Sequence, residues 1–534
     1  MSDPNRSKLS RRKFLLRTSL GLAAARAGMP LLQASGGQPA PSPTAPRPAA
    51  AAKGSLVIAM SEALLATLDP QMHNNVPNYG VLTHTYDKLV ERDQETKEIK
   101  PHLAESWKAL DEKTWEFKLR RGARFHNGEP FNAQSVKYTI ERLVDPDRKT
   151  LRGPLWRSLD KVEIKDDYTV LVKTKTPSAL VLPLLLMEEM LPPQETAKLG
   201  KDSITKPVGT GPYRFVEWKK DSHIALEANP EYWGKPPTLA KITIRFIGEP
   251  AARLTAVEAG DVHIVDQVPV DQLERLRGIK NLSLPAVPTT MTGWIPIYCG
   301  GTGPTSKVKV REAICTAINR EVYLQSILKG IADPTPAILS PAVWGSAKVG
   351  EWPKYDVNRA KQLLAEAGYA NGFDLSILTT PGIVPMYAQV VEALQADMKK
   401  VGINATAEIL EMGVYMQRRG SAVGQRNFGM FYQGFTSMNM DPAMIINSML
   451  DSAISRNDYN NPKVDEALRK ADQSVDEKER LRWLTEAQRI AWPEYPHAWT
   501  FGVTDYYAMR SDKVAVFTPR RDRFYEVRWA EVKG

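Results

Sequence analysis

The sequence is poor in cysteine and histidine and has no long apolar run. Two cysteines in 534 residues, Cys299 and Cys315, exclude a small disulfide-stapled scaffold. Whether the two bridge depends on a Cα separation that sequence does not supply. The seven histidines (73, 84, 102, 126, 223, 263 and 497) are scattered, with no helical pair four apart and no Cys-x-x-Cys, so neither a bound metal nor a cofactor is expected. No stretch approaches the roughly 20 apolar residues of a membrane span. What is present is a long chain, 43% hydrophobic and 25% charged, with material for a large core and more than one domain.

A formal charge of +10 raises the question of nucleic acid, and its location answers it. Residues 1–52 carry eight basic side chains against the single acid Asp3, so +7 of the excess sits there and +3 remains from Lys53 onward. Nucleic-acid binding needs a clustered basic face with stacking aromatics. The reading is excluded.

The leader reads as an address. Ser10-Arg-Arg-Lys-Phe-Leu-Leu16 precedes a mildly apolar stretch from Leu15 to Leu32, interrupted by Arg26. A twin arginine ahead of a short apolar run marks a twin-arginine export signal; the competing structure is a basic amphipathic surface helix. The expected signal covers 1–35, with cleavage near Ala34–Gly36 or among the small residues 49–52. No cysteine near either site allows lipid attachment. The Pro/Ala-rich stretch 36–52 reads as a tether. The mature protein is expected to be soluble, monomeric and periplasmic.

From Lys53 the pattern is mixed α/β. Ser55–Met60 is a short apolar strand, and Thr114–Leu119 alternates with Trp115, Phe117 and Leu119 on one face. Asn132 is placed to cap a helix over Ala133–Leu143. Lys161–Ile164 and Tyr168–Lys173 form a hairpin around Asp166-Asp167, and Ile242–Ile247 alternates again. Helical faces follow at Val310, Ile314, Ala317 and Ile318, and at Tyr387, Val390, Val391, Leu394, Met398 and Val401, stopped by Gly402. Asp356 caps a helix that Gly368 ends. Tyr506–Met509 and Val514–Phe517 return to strand.

Several blocks carry a family resemblance: Pro101-His-Leu-Ala-Glu-Ser-Trp107, Arg120-Arg-Gly-Ala-Arg-Phe-His-Asn-Gly128 with Pro130-Phe-Asn-Ala-Gln-Ser-Val136, Pro207-Val-Gly-Thr-Gly-Pro-Tyr213, Val310-Arg-Glu-Ala313 with Ile318-Asn-Arg320, Ala360–Tyr369, and Tyr459-Asn-Asn-Pro-Lys-Val-Asp465. In this order they resemble the extracellular solute-binding proteins of ABC importers, family 5, the peptide/nickel type. The resemblance spans nearly all of the mature chain. It implies a periplasmic-binding-protein-like α/β fold of two lobes joined by a hinge: lobe I at 53–92, 208–289 and 507–534, an inserted domain II at 93–207, and lobe III at 290–506. Strands near 286–298 and 499–509 would form the hinge. The implied function is capture of a peptide-like or other small organic solute and its delivery to an ABC permease in the inner membrane, with no chemistry performed on it.

Phe428–Pro442 resembles the family's pocket loop, with one departure. Peptide-binding members carry an aspartate four positions after the loop glycine to hold the peptide amine. Here Gly434 is followed by Phe435, and the aspartate's place is taken by Met438. A thioether offers a desolvated ammonium no counter-charge. The expected ligand-binding residues are Phe435, Thr436, Met438 and Asn439 from this loop, with Trp294, Tyr298 and Trp499 stacking from the hinge region. Asp441 in its Asp-Pro context reads as a helix cap.

Three other classes compete: a hydrolase or other periplasmic enzyme, a metal-chelate binding protein, and an adhesion or chaperone protein. Ser203-Ile-Thr-Lys206 fits the Ser-x-x-Lys nucleophile pattern but lacks its downstream partners. Gly300–Lys307 has the look of a phosphate loop, without the Gly-Lys-Ser/Thr that would make it one. A metal held inside a chelator remains compatible with the sequence, and an adhesion or chaperone role would leave a broad apolar surface in place of a cleft.

Overall fold

The computed structural model describes residues 52–60, 65, 67–200, 204–334, 336–421, 426 and 428–533; the leader and Ser203 lie outside them. Ser55–Met60 forms a strand over the expected residues and lies central in a seven-stranded sheet. It runs parallel to Lys241–Phe246 on one side and Ile264–Val265 on the other. Leu56, Ile58 and Met60 enter one apolar cluster while Val57 and Ala59 enter another, so both faces are covered, as a parallel pair requires. His223–Ala228 and Tyr213–Lys219 extend one edge. Ala508–Arg510 and Leu282–Ser283 extend the other, antiparallel. N-terminal, middle and C-terminal segments thus share one sheet.

A four-stranded antiparallel sheet is built from one continuous stretch of chain, in the order Ala104–Asp111, Thr114–Leu119, Thr169–Thr174, Leu159–Asp166. Trp115 pairs with Val172 and Phe117 with Val170, and their side chains pack under helix Ala133–Leu143 through Val136 and Ile140. Asn132 caps that helix in a reciprocal box with Ser135, which satisfies two otherwise orphaned N–H groups.

The third body holds a parallel sheet, Ile403–Ile409, Phe373–Thr379 and Met430–Phe431, covered by helices including Val357–Glu366 and Tyr387–Lys400. Asp356 caps the first, accepting from the Arg359 N–H. Gly368 and Gly402 adopt φ of 89° and 87° beyond the ends of these helices, the left-handed conformation that costs glycine least.

Two long strands join this body to the seven-stranded sheet. Ala286–Pro296 and His497–Tyr506 pair antiparallel. The expected strand Tyr506–Met509 is broken at Tyr507, whose N–H donates to the Pro285 carbonyl; there the chain leaves one sheet and enters the next. The register shifts between Pro288 and Thr292, a bulge that turns the strand. Just past it, Gly293 faces Phe501, and a Cβ would overlap that ring. The ring lies tilted against Trp499, 4.8 Å between centroids, and has little room to yield. Gly293→Ala is therefore expected to destabilise the protein by about 1–3 kcal/mol, measured as a lower urea midpoint at unchanged m-value.

Candidate functional site

A cleft of about 480 Å³ opens where these bodies meet, within the range of small-molecule sites. Met60, Val76, Tyr507 and Tyr525 line one side; Met291 and Thr504 come from the joining strands; Gly382–Met386 and Met412 close the other. Four thioethers and the tyrosines make the wall apolar and deformable. The backbone around it is strained. Gln267, Met386 and Arg523 all line the cleft with φ of 50°, 55° and 66°, a conformation that costs non-glycine residues energy and gathers at functional sites.

The polar groups lie at the floor. Arg523 donates from Nε to Asp505 at 2.6 Å and from Nη1 toward Met291 Sδ at 2.9 Å. Asp266 faces Arg253 at 3.5 Å. Burial pushes the Asp266 carboxyl up to about 6; Arg253 opposes the shift and the neighbouring Asp505 charge adds to it. A perturbed carboxyl lining a cleft is a mark of a functional site.

The pocket loop is held beside this cleft. Gln433–Thr436 pairs along the joining strand, Thr436 opposite Met291 and Gly434 opposite Gly293. A Cβ on Gly434 would overlap Met291 and Val384, so glycine here lets the 382–386 segment close over the strand. Beyond it the Ser437 hydroxyl donates to the Asp441 carbonyl at 2.7 Å. Asn439 accepts from the Asp441 N–H at 3.0 Å and donates to the Pro183 carbonyl at 3.1 Å. Asp441 accepts from Ala443 N–H at 3.0 Å from one position ahead of the cap residue, Pro442, and takes both terminal nitrogens of Arg480 at 2.7 Å. Burial works against its ionisation, but the Arg480 guanidinium overrides it and holds the carboxyl below its usual range.

The seven residues singled out in the sequence divide. Thr436 is half-buried beside Met291, and half-buried Met438 packs with Tyr79, Met187 and Phe524. Phe435 is half-buried under the Arg456 guanidinium, 5.1 Å from its ring. Asn439 is buried and spends its polar atoms on the loop. Trp294, Tyr298 and Trp499 do not line the cleft: all three are buried in apolar clusters of the third body. The Trp294 indole N–H donates to His497 Nδ1 at 3.0 Å. Trp499 is wedged between Phe501 and Tyr323, and Tyr298 leans on Phe428. Asp266, Gln267, Asp505 and Arg523 were not anticipated. They come from distant segments, and only the Asp-Gln before a Val-Pro and the basic Arg520-Arg-Asp-Arg523 run hinted at loops of unusual build.

Among the described residues no group of three or more His, Cys, Asp or Glu is arranged to hold a metal. His84 and His497 are buried, and burial lowers them to about 4 and about 3; each serves as a neutral hydrogen-bonding core residue. Cys299 and Cys315 are free thiols, raised by burial to about 11 and about 12, which leaves them unreactive. Gly300–Lys307 is a turn followed by a short 3₁₀ segment, Pro304–Ser306, with the Lys307 amine on the Ala367 carbonyl. No helix among the described residues is long and apolar enough to cross a membrane.

Comparison with known proteins agrees with this architecture. Residues 98–457 match the family described as bacterial extracellular solute-binding proteins, family 5. The chain belongs to this family. It is 30% identical over 464 residues to the glutathione-binding protein GsiB of Salmonella choleraesuis, covering 84% of this chain and 89% of that protein. The periplasmic binding protein DppA of Helicobacter pylori, solved with the peptide STSA, superposes with a TM-score of 0.75 at 27% identity over 90% of this chain and 98% of that one. NikZ of Campylobacter jejuni, solved with Ni(L-His), shares the fold at TM-score 0.75 and 20% identity, over 89% and 99% of the two chains. The protein is the solute-binding component of an ABC importer, and its relatives are binding proteins, not enzymes.

The Asp441–Arg480 clamp yields a stability prediction. Asp441→Asn leaves Arg480, and Arg92 at 3.9 Å, without their counter-charge, an expected loss of about 3–5 kcal/mol at pH 7. Because the folded carboxyl is depressed, the pair's contribution is complete above the unfolded value of about 3.9 and is lost as pH falls through the folded one. Denaturation curves of the two proteins should therefore converge below about pH 4.

Proposed function

We propose that the ligand is a small peptide-like organic solute, held in the 480 Å³ cleft and enclosed when lobe I (53–92, 208–289, 507–534) and lobe III (290–506) close about the paired strands, with 93–207 as the inserted domain. The observation that carries this reading is the cleft itself. It lies against the joining strands, its wall is apolar, its polar groups are few and converge on the floor, and three strained residues surround it. Bending at a strand pair is a common way for two lobes to close, and a break in pairing at residues 288–292 gives such a bend a place to occur. The thioether walls suit a ligand of irregular shape. That GsiB is named for glutathione and that DppA was solved with a tetrapeptide supports a peptide-like solute. Twin-arginine export to the periplasm and action as a monomer, with the inner-membrane permease as partner, complete the reading. Thr436 and Met438 are the loop residues expected nearest the ligand, with Phe435 and Asn439 behind them.

The test is ligand-dependent stability and shape. Glutathione, di- and tripeptides, opines and metal chelates are screened for an increase in Tm; a solute at a hundred times its Kd stabilises by about 2.7 kcal/mol. Small-angle scattering should then show the radius of gyration falling as the same solute is added, with no product formed. A protein whose dimensions do not change on binding would rule out closure about the strands.

A further inference from the structure

Next to the pocket loop lies a small inner cavity of about 20 Å³, enough for a single oxygen-sized group. It is lined by Met438, Phe524 and a set of charged side chains. All but one of these charges are paired. Arg520 bonds Asp522 and Glu526; Arg528 bonds Glu526 and Glu91; Arg92 donates to the Asn439 carbonyl at 3.0 Å and faces Asp441. The exception is Lys88. It is 7% exposed, and among the described residues its ammonium makes no hydrogen bond and no ion pair. It rests over the rings of Tyr79 and Phe524, 5.3 and 5.2 Å from their centroids.

A buried charge without a hydrogen-bonding partner carries a desolvation cost. Burial accordingly pulls Lys88 below the ordinary lysine range; the charges of Glu189, its partner across a β-bridge, and of Glu91 and Asp522 oppose the shift without bonding the ammonium. Cation–π attraction offsets only part of such a cost. The inner cavity and the cleft share no lining residue, but neighbouring residues line the two. Phe524 lies between Arg523 and Tyr525, which line the larger space, and Val76 lines that space while packing against the Tyr79, Phe524 and Met438 cluster.

We infer that Lys88 is the anchor for a carboxylate of the bound solute, one of whose oxygens enters the inner cavity beside Met438. The inference rests on the solute-binding reading and adds the chemical class of the ligand: organic acids, amino-acid- or peptide-like, recognised by their carboxylate and not by an amine. Met438 is consistent with this. An aspartate at that position would pair with Lys88 and fill the cavity with the chain's own carboxylate.

The experiment compares the exported protein with Lys88→Met and Met438→Asp. The probes are glutathione, Ala-Ala-Ala and N-acetyl-Ala-Ala-Ala, each beside its C-terminal amide, with binding measured by calorimetry and thermal shift. In the parent, amidation should weaken binding at least tenfold and acetylation of the amine should leave it unchanged. Lys88→Met and Met438→Asp should each lose the preference for the acid over the amide at least tenfold. The unliganded Tm of Lys88→Met should equal or exceed the parent's, because an unpartnered charge has been removed and no hydrogen bond lost. A Lys88→Met protein that unfolds, or melts several degrees lower, makes Lys88 a structural counter-charge for Glu189 and overturns the inference. Acid and amide bound equally by parent and variants would overturn it too, while leaving the solute-binding reading standing. If the parent binds none of the probes, peptide-like recognition falls with it.

Discussion

The pairing of Ala286–Pro296 with His497–Tyr506 is the constraint on which the rest depends. Both strands emerge from the seven-stranded sheet, where Leu282–Ser283 and Ala508–Arg510 are already hydrogen-bonded to each other. Their register is thus set before they enter the third body, and a slip of one residue would turn every side chain to the wrong face. The irregular stretch between Pro288 and Thr292 does more than bend the pair. The Thr289 hydroxyl donates to the Val503 carbonyl at 2.7 Å. The Thr290 N–H donates to the Arg521 carbonyl at 2.7 Å, and its hydroxyl to the Ser437 carbonyl at 2.9 Å. One bulge therefore fixes the C-terminal segment, the pocket loop and Met291 at the same point.

Ion pairs tie segments distant in sequence to one another near that point. Arg142 on helix Ala133–Leu143 bonds Asp69 at 2.6 Å. Arg152 reaches Glu188 and Glu189, each at 3.2 Å, and also the Tyr79 hydroxyl and the Pro70 carbonyl. Arg528, near the C-terminus, bonds Glu91 at 2.8 Å. Such pairs contribute little net stability against well-packed apolar residues, but breaking one is expensive. Their effect here is to admit one arrangement of segments distant in sequence. Lys88 departs from that rule within the same neighbourhood: among the described residues its ammonium lies on two rings, with no carboxylate within ion-pair distance.

Much of the fold was legible because its signals are local. Ser55–Met60 and Thr114–Leu119 show their period-two patterns directly, and the Asn132 and Asp356 caps and Gly402 each act within one helical turn. The pocket loop was legible through its family resemblance, and Asp441 kept its expected contact with the Ala443 N–H. The surroundings of the aromatic residues were not legible, because Trp294 and Trp499 meet their neighbours, His497, Phe431, Tyr323 and Phe501, partly through segments distant in sequence. Asp266, Arg523 and Lys88 were invisible for another reason. Each becomes distinctive only through what surrounds it: Asp505 on the strand, Arg253 on a helix, two rings from residues 79 and 524. Such neighbourhoods are made by topology, and a single sequence does not state them.

The division of labour within the cleft follows from the same geometry. Met60, Met291, Met386 and Met412 form a wall with many rotamers and low penalties for rearrangement, so shape alone discriminates weakly among solutes of similar size. The floor is different. Arg523 is fixed by Asp505 and by its own left-handed backbone, and Asp266 by Arg253 and burial; neither can follow a ligand that misplaces a charge. A buried polar group left unmatched costs more than a matched one gains. Selectivity in a cleft of this kind is therefore exercised by rejection at the floor, and breadth by accommodation at the wall. That combination lets a binding protein accept solutes of varied side-chain shape while holding to one arrangement of charge.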